Sequence, residues 1–182
     1  MELDLAEAFR NYRDKIVDEW VEYTLKTYRS SEFFRREQDR FANPTGVNIR
    51  EGLSRLFDLM SKGADPETFK VPVEQIVRLR AVQEFSPSQA VAPLNAVKHI
   101  TRNILAADKE RSVFITELYD FEFAVDLAML AAFDIYMESR ERLYQIRVRE
   151  LKSGRSILTD SKCPSKSFQA APLASSPEPK SD

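Results

Sequence analysis

The stretch LRAVQEFSPSQAV, residues Leu79 to Val91, decides how the chain folds, because one helix ends within it and another begins. Ser86 is a good N-cap residue, and Pro87 suits the first position of a helix. Gln89 can reach back to the cap, which completes a capping box. The sequence therefore predicts that the proline starts a helix rather than disrupting one.

The helix before this break carries polar residues on the side that faces the core. Its pattern predicts a helix that opens at Val71-Pro72 and runs to about Phe85. On a helical wheel one face holds six residues, with Arg80 near its centre: Val73, Ile76, Val77, Arg80, Gln83 and Glu84. An arginine is therefore predicted inside the core.

A buried Arg80 needs a partner. Burying an unpaired guanidinium costs several kcal/mol, and buried charges are usually paired. The predicted partner is Glu84 one turn on, or an acidic group from another helix such as Asp126 or Asp134. The functional alternative is that Arg80 binds an anionic ligand in a pocket. We favour the structural ion pair.

The chain is predicted to belong to the all-α class. Only four glycines occur in it, and long amphipathic periods dominate. A first helix has its apolar residues at steps of three and four along one face: Leu5, Phe9, Tyr12, Ile16, Trp20 and Tyr23. The segment from Ser30 to Phe41 is shorter and more charged, and predicts one or two helical turns.

Two further helices have clear boundary signals. Asn43-Pro44 is an N-cap followed by a proline at the first helical position, and Gly63 lies where a C-terminal glycine belongs. The predicted buried side of this helix is Ile49, Leu53, Leu56, Phe57 and Met60. The helix that starts at Pro87 is expected to run to about Asp108, to bend slightly at Pro93 and to bury Ala90, Leu94, Val97, Thr101, Ile104 and Leu105.

The last helix is unusually long, since no glycine or proline interrupts the sequence from Arg111 to Lys152. Taken from Phe114 to Lys152 it would measure about 58 Å at about 1.5 Å per residue. A compact domain of this size is only about 36 Å across. We therefore expect the helix to extend beyond its own domain and to need a partner. Residues 114 to 137 are apolar almost all round, which predicts a central helix packed on several sides, whereas Glu138 to Lys152 is mostly charged.

The composition argues against several classes of function. The formal net charge is -2, which calls for neither nucleic acid nor an acidic membrane. The longest apolar run, residues 127–133, is too short to span a bilayer. A single cysteine, Cys163, excludes an intramolecular disulfide and a cysteine-built metal site. A cytoplasmic location fits best.

Catalytic signals are absent from the sequence. His99 is the only histidine, so no catalytic triad can be built, and no glycine-rich phosphate loop or paired metal-ligand spacing is present. A lone histidine in an all-α protein raises the question of haem, but the wheel places His99 opposite the buried side of its helix. We expect no enzymatic activity, no cofactor and no metal.

The composition changes abruptly after Lys152. The final thirty residues hold eight serines and four prolines, with few large apolar groups. Such a segment cannot offset the entropy lost on ordering. We therefore expect a helical domain over residues 1–152 and a disordered tail over residues 153–182.

Three stretches together carry a family resemblance: NPTGVNIREGLSRLFDLM (43–60), IVRLRAVQEFSPSQAV (76–91) and FDIYMESRERLYQIRVRELK (133–152). They resemble the N-terminal domain of RsbT co-antagonist proteins of the RsbRD type, over nearly all of residues 1 to 152. The resemblance implies a globin-like fold without haem, a homodimer and a sensory role in stress-signalling complexes. In those proteins the final helix leads into a STAS domain that binds a kinase, whereas here we expect a stand-alone domain.

The resemblance also assigns roles to residues. It implies that Arg80, Gln83, Ser86, Pro87 and Gln89 form a structural signature, and that the signalling helix carries Tyr136, Arg140, Glu141, Tyr144 and Arg147. The expected function is non-enzymatic regulation through protein–protein interaction in bacterial signalling. Two alternatives stay open: an accessory role beside a sulfur-metabolism redox complex, which similar stand-alone domains suggest, and a small-ligand sensor with a pocket near Arg80.

Overall fold

The structure, a computed structural model, describes residues 4–28, 32–33, 41–83 and 85–153. Within these ranges it holds no β-strand, and its α-helices are α1 Leu5–Lys26, α2 Pro44–Ser61, α3 Lys70–Val82, α4 Pro87–Ala106 and α5 Tyr119–Lys152. Two short 3-10 helices, η1 Pro66–Phe69 and η2 Ser112–Glu117, precede α3 and α5. The all-α prediction is confirmed, and its globin-like detail stays a prediction. The tail from residue 154 and most of the short helix expected between Ser30 and Phe41 lie outside the described residues.

The boundaries of α2 confirm the sequence prediction. The Asn43 side chain accepts a hydrogen bond from the Gly46 backbone N–H at 2.7 Å, and Pro44 is the first helical residue. Gly63 has a φ of +63°, the left-handed conformation that glycine adopts without a Cβ penalty. All five residues predicted on the inner side of α2 are buried.

The core forms where α1 packs against α2 and α4, and where α2 packs against α3. Phe9, Phe57 and Phe121 meet in an aromatic cluster with ring centroids 4.9–5.9 Å apart, which joins α1, α2 and α5. The Trp20 indole N–H donates to the carbonyl oxygen of Pro93 at 2.8 Å. One prediction for α1 is wrong: Tyr23 is half exposed, because the helical rotation brings Thr24 closer to the direction of Trp20.

The predicted inner side of α4 is confirmed, since all six of its residues are buried. Two predictions about α5 are wrong. The helix begins at Tyr119 rather than Phe114, because residues 112–117 form the tighter η2. Its part up to residue 137 is also not packed on all sides, since five large apolar residues there are exposed by about half or more: Tyr119, Phe123, Leu130, Phe133 and Met137.

The chain divides into two units after Leu143. The first unit contains α1 to α4 and most of α5. The second contains the last residues of α5, from Tyr144 to Lys152, which are exposed apart from a half-buried Val148.

Candidate functional site

The connection between α3 and α4, residues 81–89, is held by local hydrogen bonds. We call it the elbow; Glu84 within it lies outside the described residues. The Ser86 hydroxyl accepts from the Gln89 backbone N–H at 3.3 Å, and the Gln89 side-chain oxygen accepts from the Ser86 N–H at 3.0 Å. The predicted capping box is confirmed. Helix α3, however, ends at Val82, three residues earlier than predicted.

Gln83 therefore does not share a helical face with Arg80. It is the C-cap residue of α3, and its backbone is extended, with a φ of -92° and a ψ of 171°. Its side-chain oxygen is buried, with no hydrogen-bond partner among the described residues. The helical wheel placed Gln83 on the inner face because it assumed a helix that continues through this position.

Arg80 is fully buried beneath the elbow, with a relative exposure of 0%. Its Nη2 group donates two hydrogen bonds of 2.9 Å, one to the Thr27 hydroxyl oxygen and one to the Gln89 carbonyl oxygen. The Thr27 hydroxyl donates its own proton to the Thr24 carbonyl at 2.7 Å. A lone pair of Thr27 is therefore left to face the guanidinium.

Pro93 explains why the Gln89 carbonyl is available. In a regular helix this carbonyl accepts from the N–H four residues on, but that residue is Pro93, which carries no N–H. An unpaired buried carbonyl is costly, and Arg80 supplies the missing donor. The arginine on α3 thus repairs a defect that the proline creates in α4.

Aromatic rings surround the same guanidinium. Its central carbon lies 4.1 Å from the ring centroid of Phe85 and 4.8 Å from that of Tyr28, distances at which a cation is attracted by the ring face. Burial lowers the pKa of Arg80. Burial also raises the pKa of the Tyr28 hydroxyl, although the Arg80 charge opposes that rise.

The predicted ion pair to Arg80 is not found among the described residues. Asp126 pairs instead with Lys98 at 2.5 Å. Asp134 lines a cavity that does not include Arg80. Glu84, the first predicted partner, lies outside the described residues, so that pairing stays a prediction. Among the described residues, neutral oxygens and aromatic rings stabilise the Arg80 charge, and its Nε and Nη1 groups have no hydrogen-bond partner there.

Helix α5 holds the elbow from the other side. The buried Tyr136 donates its hydroxyl proton to the Phe85 carbonyl at 2.6 Å. Arg140 donates from Nη1 to the Ala81 carbonyl at 3.2 Å. Two of the residues predicted for the signalling helix therefore bond to elbow residues that lie beside those of the predicted structural signature.

The other predicted residues of the signalling helix lie further along α5. Glu141, Tyr144 and Arg147 are exposed on α5. Tyr144 and Arg147 belong to the second unit of the chain.

A separate cavity of about 500 Å3 lies between η1, the start of α3 and α5. Pro66, Glu67 and Lys70 form one wall, and five residues of α5 form the other: Leu127, Ala131, Asp134, Ile135 and Glu138. The sequence reasoning missed this site, because its two walls lie about sixty positions apart in the chain.

Other features of the described residues bear on function. No group of three histidine, cysteine, aspartate or glutamate side chains is placed to hold a metal ion within these ranges. His99 is exposed, as predicted, and lies 2.9 Å from the Asn103 side-chain nitrogen. No helix in the part of the chain that the structure describes is long and apolar enough to cross a membrane.

The comparisons with known proteins agree with the resemblance in the sequence. A search of curated proteins and a search of solved structures each found no match to this chain. A scan against protein families matches residues 14–151 to the RsbT co-antagonist protein RsbRD N-terminal domain. This match covers most of the chain and includes the elbow, Arg80 and all of α5 but Lys152. The chain therefore belongs to the RsbRD N-terminal domain family, which is associated with bacterial stress signalling and is not a family of enzymes.

Proposed function

We propose that this protein is a non-enzymatic regulatory module that acts through protein–protein contacts, and that it forms a homodimer through α5. Its family supports a signalling role. The observation that carries the dimer proposal is the exposed apolar face of α5. Large apolar side chains exposed together on one surface are typical of an interaction site.

The five exposed residues form one stripe. At 3.6 residues per turn, Tyr119, Phe123, Leu130, Phe133 and Met137 fall within an arc of about 80°. We call this set the α5 stripe. The spacing of seven residues from Phe123 through Leu130 to Met137 is typical of helices that pair along a seam. A second copy of the same helix presents a matching surface, which favours a symmetric contact.

The elbow offers a route from the core to this helix. Tyr136 and Arg140 bond to backbone carbonyls of the elbow, and they lie on the same helix as the α5 stripe. A change in the elbow would alter the anchoring of α5, and so the surface that α5 presents to a partner. We propose that the segment Glu138–Lys152 carries this change to the partner protein.

Sedimentation velocity tests the dimer. The wild-type chain is expected to sediment as a dimer at tens of micromolar, whereas Leu130→Glu and Phe133→Glu should sediment as folded monomers, because a buried charge without a partner opposes association. Val71→Glu is the matched control, since Val71 is exposed on α3 outside the stripe. A strictly monomeric wild-type protein at these concentrations would contradict the proposal.

The signalling segment needs a separate experiment. The double variant Tyr144→Ala/Arg147→Ala changes two exposed residues of the second unit. It should leave the dimer intact and weaken the capture of a signalling protein that the wild-type chain recovers. Equal recovery by the wild type and the variant would remove this segment from the proposed mechanism.

A further inference from the structure

The cavity between η1 and α5 combines an apolar floor with charges of both signs. Leu127, Ala131 and Ile135 provide apolar surface on α5, and Pro66 adds to it from η1. The volume of about 500 Å3 falls within the range of roughly 300–1,000 Å3 that small-molecule sites usually have. Concave shape, apolar lining and a few polar groups are the features expected of a ligand site.

The charged groups of this cavity lie on opposite walls. Asp134 and Glu138 lie one helical turn apart on α5, so their carboxylates share one side of the cavity. Lys70 lies on the opposite wall, where Glu67 is its neighbour. The α5 wall therefore suits a cationic group, and Lys70 can bind an anionic group.

These opposite charges do not neutralise each other. Lys70 and Asp134 form no ion pair with any described residue, although both line the same cavity. Glu138 pairs with the exposed Arg142 at 2.8 Å. Separated charges of opposite sign around an apolar floor match a ligand that carries its own two charges at its ends.

We infer that this cavity is a binding site for a small zwitterion with an apolar body, of the size of a dipeptide. Its ammonium group binds Asp134 and Glu138, its carboxylate binds Lys70, and its side chains cover Leu127, Ala131 and Ile135. The site goes beyond the proposed dimer function. It occupies a different face of α5, centred about 90° around the helix from the α5 stripe.

Isothermal titration calorimetry with three related probes tests the ligand class on the full chain. Leucyl-leucine carries both charges, N-acetyl-leucyl-leucine lacks the ammonium group, and leucyl-leucine amide lacks the carboxylate. Leucyl-leucine should bind saturably, and each blocked probe should bind at least about fivefold more weakly, as expected for the loss of a charged contact. Equal binding of either blocked probe, or no binding of leucyl-leucine at millimolar concentration, overturns the inference.

Variants test the position of the site. Lys70→Met should weaken leucyl-leucine binding to the level of the amide and leave the amide unchanged, whereas Lys62→Met, on the exposed end of α2, should change neither. Asp134→Asn should likewise weaken leucyl-leucine binding toward the level of N-acetyl-leucyl-leucine, the probe that lacks the ammonium group. Asp120→Asn, at an exposed position, is its control. Ala131→Phe fills the floor and should abolish binding. Unchanged binding by Ala131→Phe, in a variant that keeps its helical circular dichroism, would place the ligand elsewhere.

The dimer proposal and the ligand inference are tested by separate measurements. Sedimentation of the cavity variants reports on the dimer, and calorimetry of Leu130→Glu reports on the cavity. A cavity that binds no zwitterion leaves the dimer proposal intact. A monomeric wild-type chain likewise leaves the ligand inference to be decided by its own titration.

Discussion

At the scale of single residues, Arg80 and Pro93 depend on each other. Pro93 removes the helical donor of the Gln89 carbonyl, and Arg80 replaces it from α3 at 2.9 Å. Desolvation of the cation opposes this arrangement. Two hydrogen bonds from a charged group, each about 1.5–3 kcal/mol, and two aromatic faces compensate for it.

A double-mutant cycle measures this dependence. Arg80→Met should lower the free energy of unfolding by about 2 kcal/mol, because it leaves the Gln89 carbonyl without its donor. Pro93→Ala returns an N–H to the helix. In that background, Arg80→Met should lower the free energy of unfolding by about 1 kcal/mol less than it does in the wild type. Urea denaturation of the four proteins gives the coupling.

Pro66→Ala provides the control for this cycle. Pro66 lies in η1 and does not contact the Gln89 carbonyl, so the effects of Pro66→Ala and Arg80→Met on the free energy of unfolding should add. If the effects of Pro93→Ala and Arg80→Met on the free energy of unfolding also add within about 0.5 kcal/mol, Arg80 does not depend on Pro93.

The burial of Arg80 could be predicted from the sequence, but the partners that it has among the described residues, Thr27 and the Gln89 carbonyl, were not predicted. The wheel needs only the spacing of apolar residues, and that spacing places Arg80 among Val73, Ile76 and Val77. The predicted ion pair rests on charged side chains alone, whereas a backbone carbonyl can also accept from a guanidinium. The signal was present, since Pro93 follows Gln89 by four positions and a carbonyl without its donor follows from that spacing.

At the scale of secondary-structure elements, helix boundaries marked by local sequence signals were predicted most accurately. The caps of α2 and α4 depend on residues within three positions of one another, so Asn43 and the Ser86–Gln89 pair could be recognised in the sequence. The start of α5 could not be recognised in the sequence, because no glycine or proline separates this helix from η2. The exposure of the α5 stripe depends on which sides of α5 the other helices cover, and apolar composition does not determine this.

Tyr136 joins two elements, and its hydroxyl group can be removed without changing the ring. Tyr136→Phe leaves the Phe85 carbonyl without the donor that now lies 2.6 Å away, so we expect a loss of about 1–2 kcal/mol of stability. Hydrogen exchange should rise at the amides of residues 85–90, because the elbow loses its contact with α5. Mass spectrometry of the exchanged protein measures both changes.

Tyr23→Phe is the matched control for this substitution. Tyr23 is half exposed on α1, outside the α5 stripe, so the loss of its hydroxyl group should change neither stability nor exchange at the elbow. Exchange at the elbow that is the same in Tyr136→Phe and wild type would show that α5 does not hold the elbow, and the proposed route from core to helix would lose its support.

At the scale of the whole molecule, side-chain contacts tie together helices that are distant in sequence. Arg13 of α1 binds Asp58 of α2 through two short hydrogen bonds of 2.6 and 2.7 Å. Arg102 of α4 binds Glu122 of α5 in the same two-pronged manner. Partly exposed pairs of this kind contribute about 0–1 kcal/mol each, so they fix the register of the helices more than they stabilise the fold.

Asp108 makes the stability of the whole chain depend on pH. It accepts a hydrogen bond from the Tyr12 hydroxyl of α1 at 2.5 Å and one from Arg111 at 3.0 Å. The Tyr12 hydrogen bond, followed by that of Arg111, lowers the pKa of Asp108 from 3.8 to about 2. A carboxyl group with a lowered pKa in the folded state stabilises the fold above its unfolded pKa, and this stabilisation is lost as the pH falls through the folded value.

We therefore expect the wild-type chain to lose stability between about pH 4 and pH 2 in part through Asp108. The stability difference between wild type and Asp108→Asn should shrink over this window, because asparagine does not titrate. Tyr12→Phe should weaken the same dependence, since it removes the first cause of the lowered pKa. Urea midpoints of the three proteins at pH 6 and pH 3 test this expectation. If the difference in stability between wild type and Asp108→Asn is the same at both pH values, the carboxylate contributes no stability through its ionisation. Tyr12 and Arg111 would then join α1 to the end of α4 by packing alone.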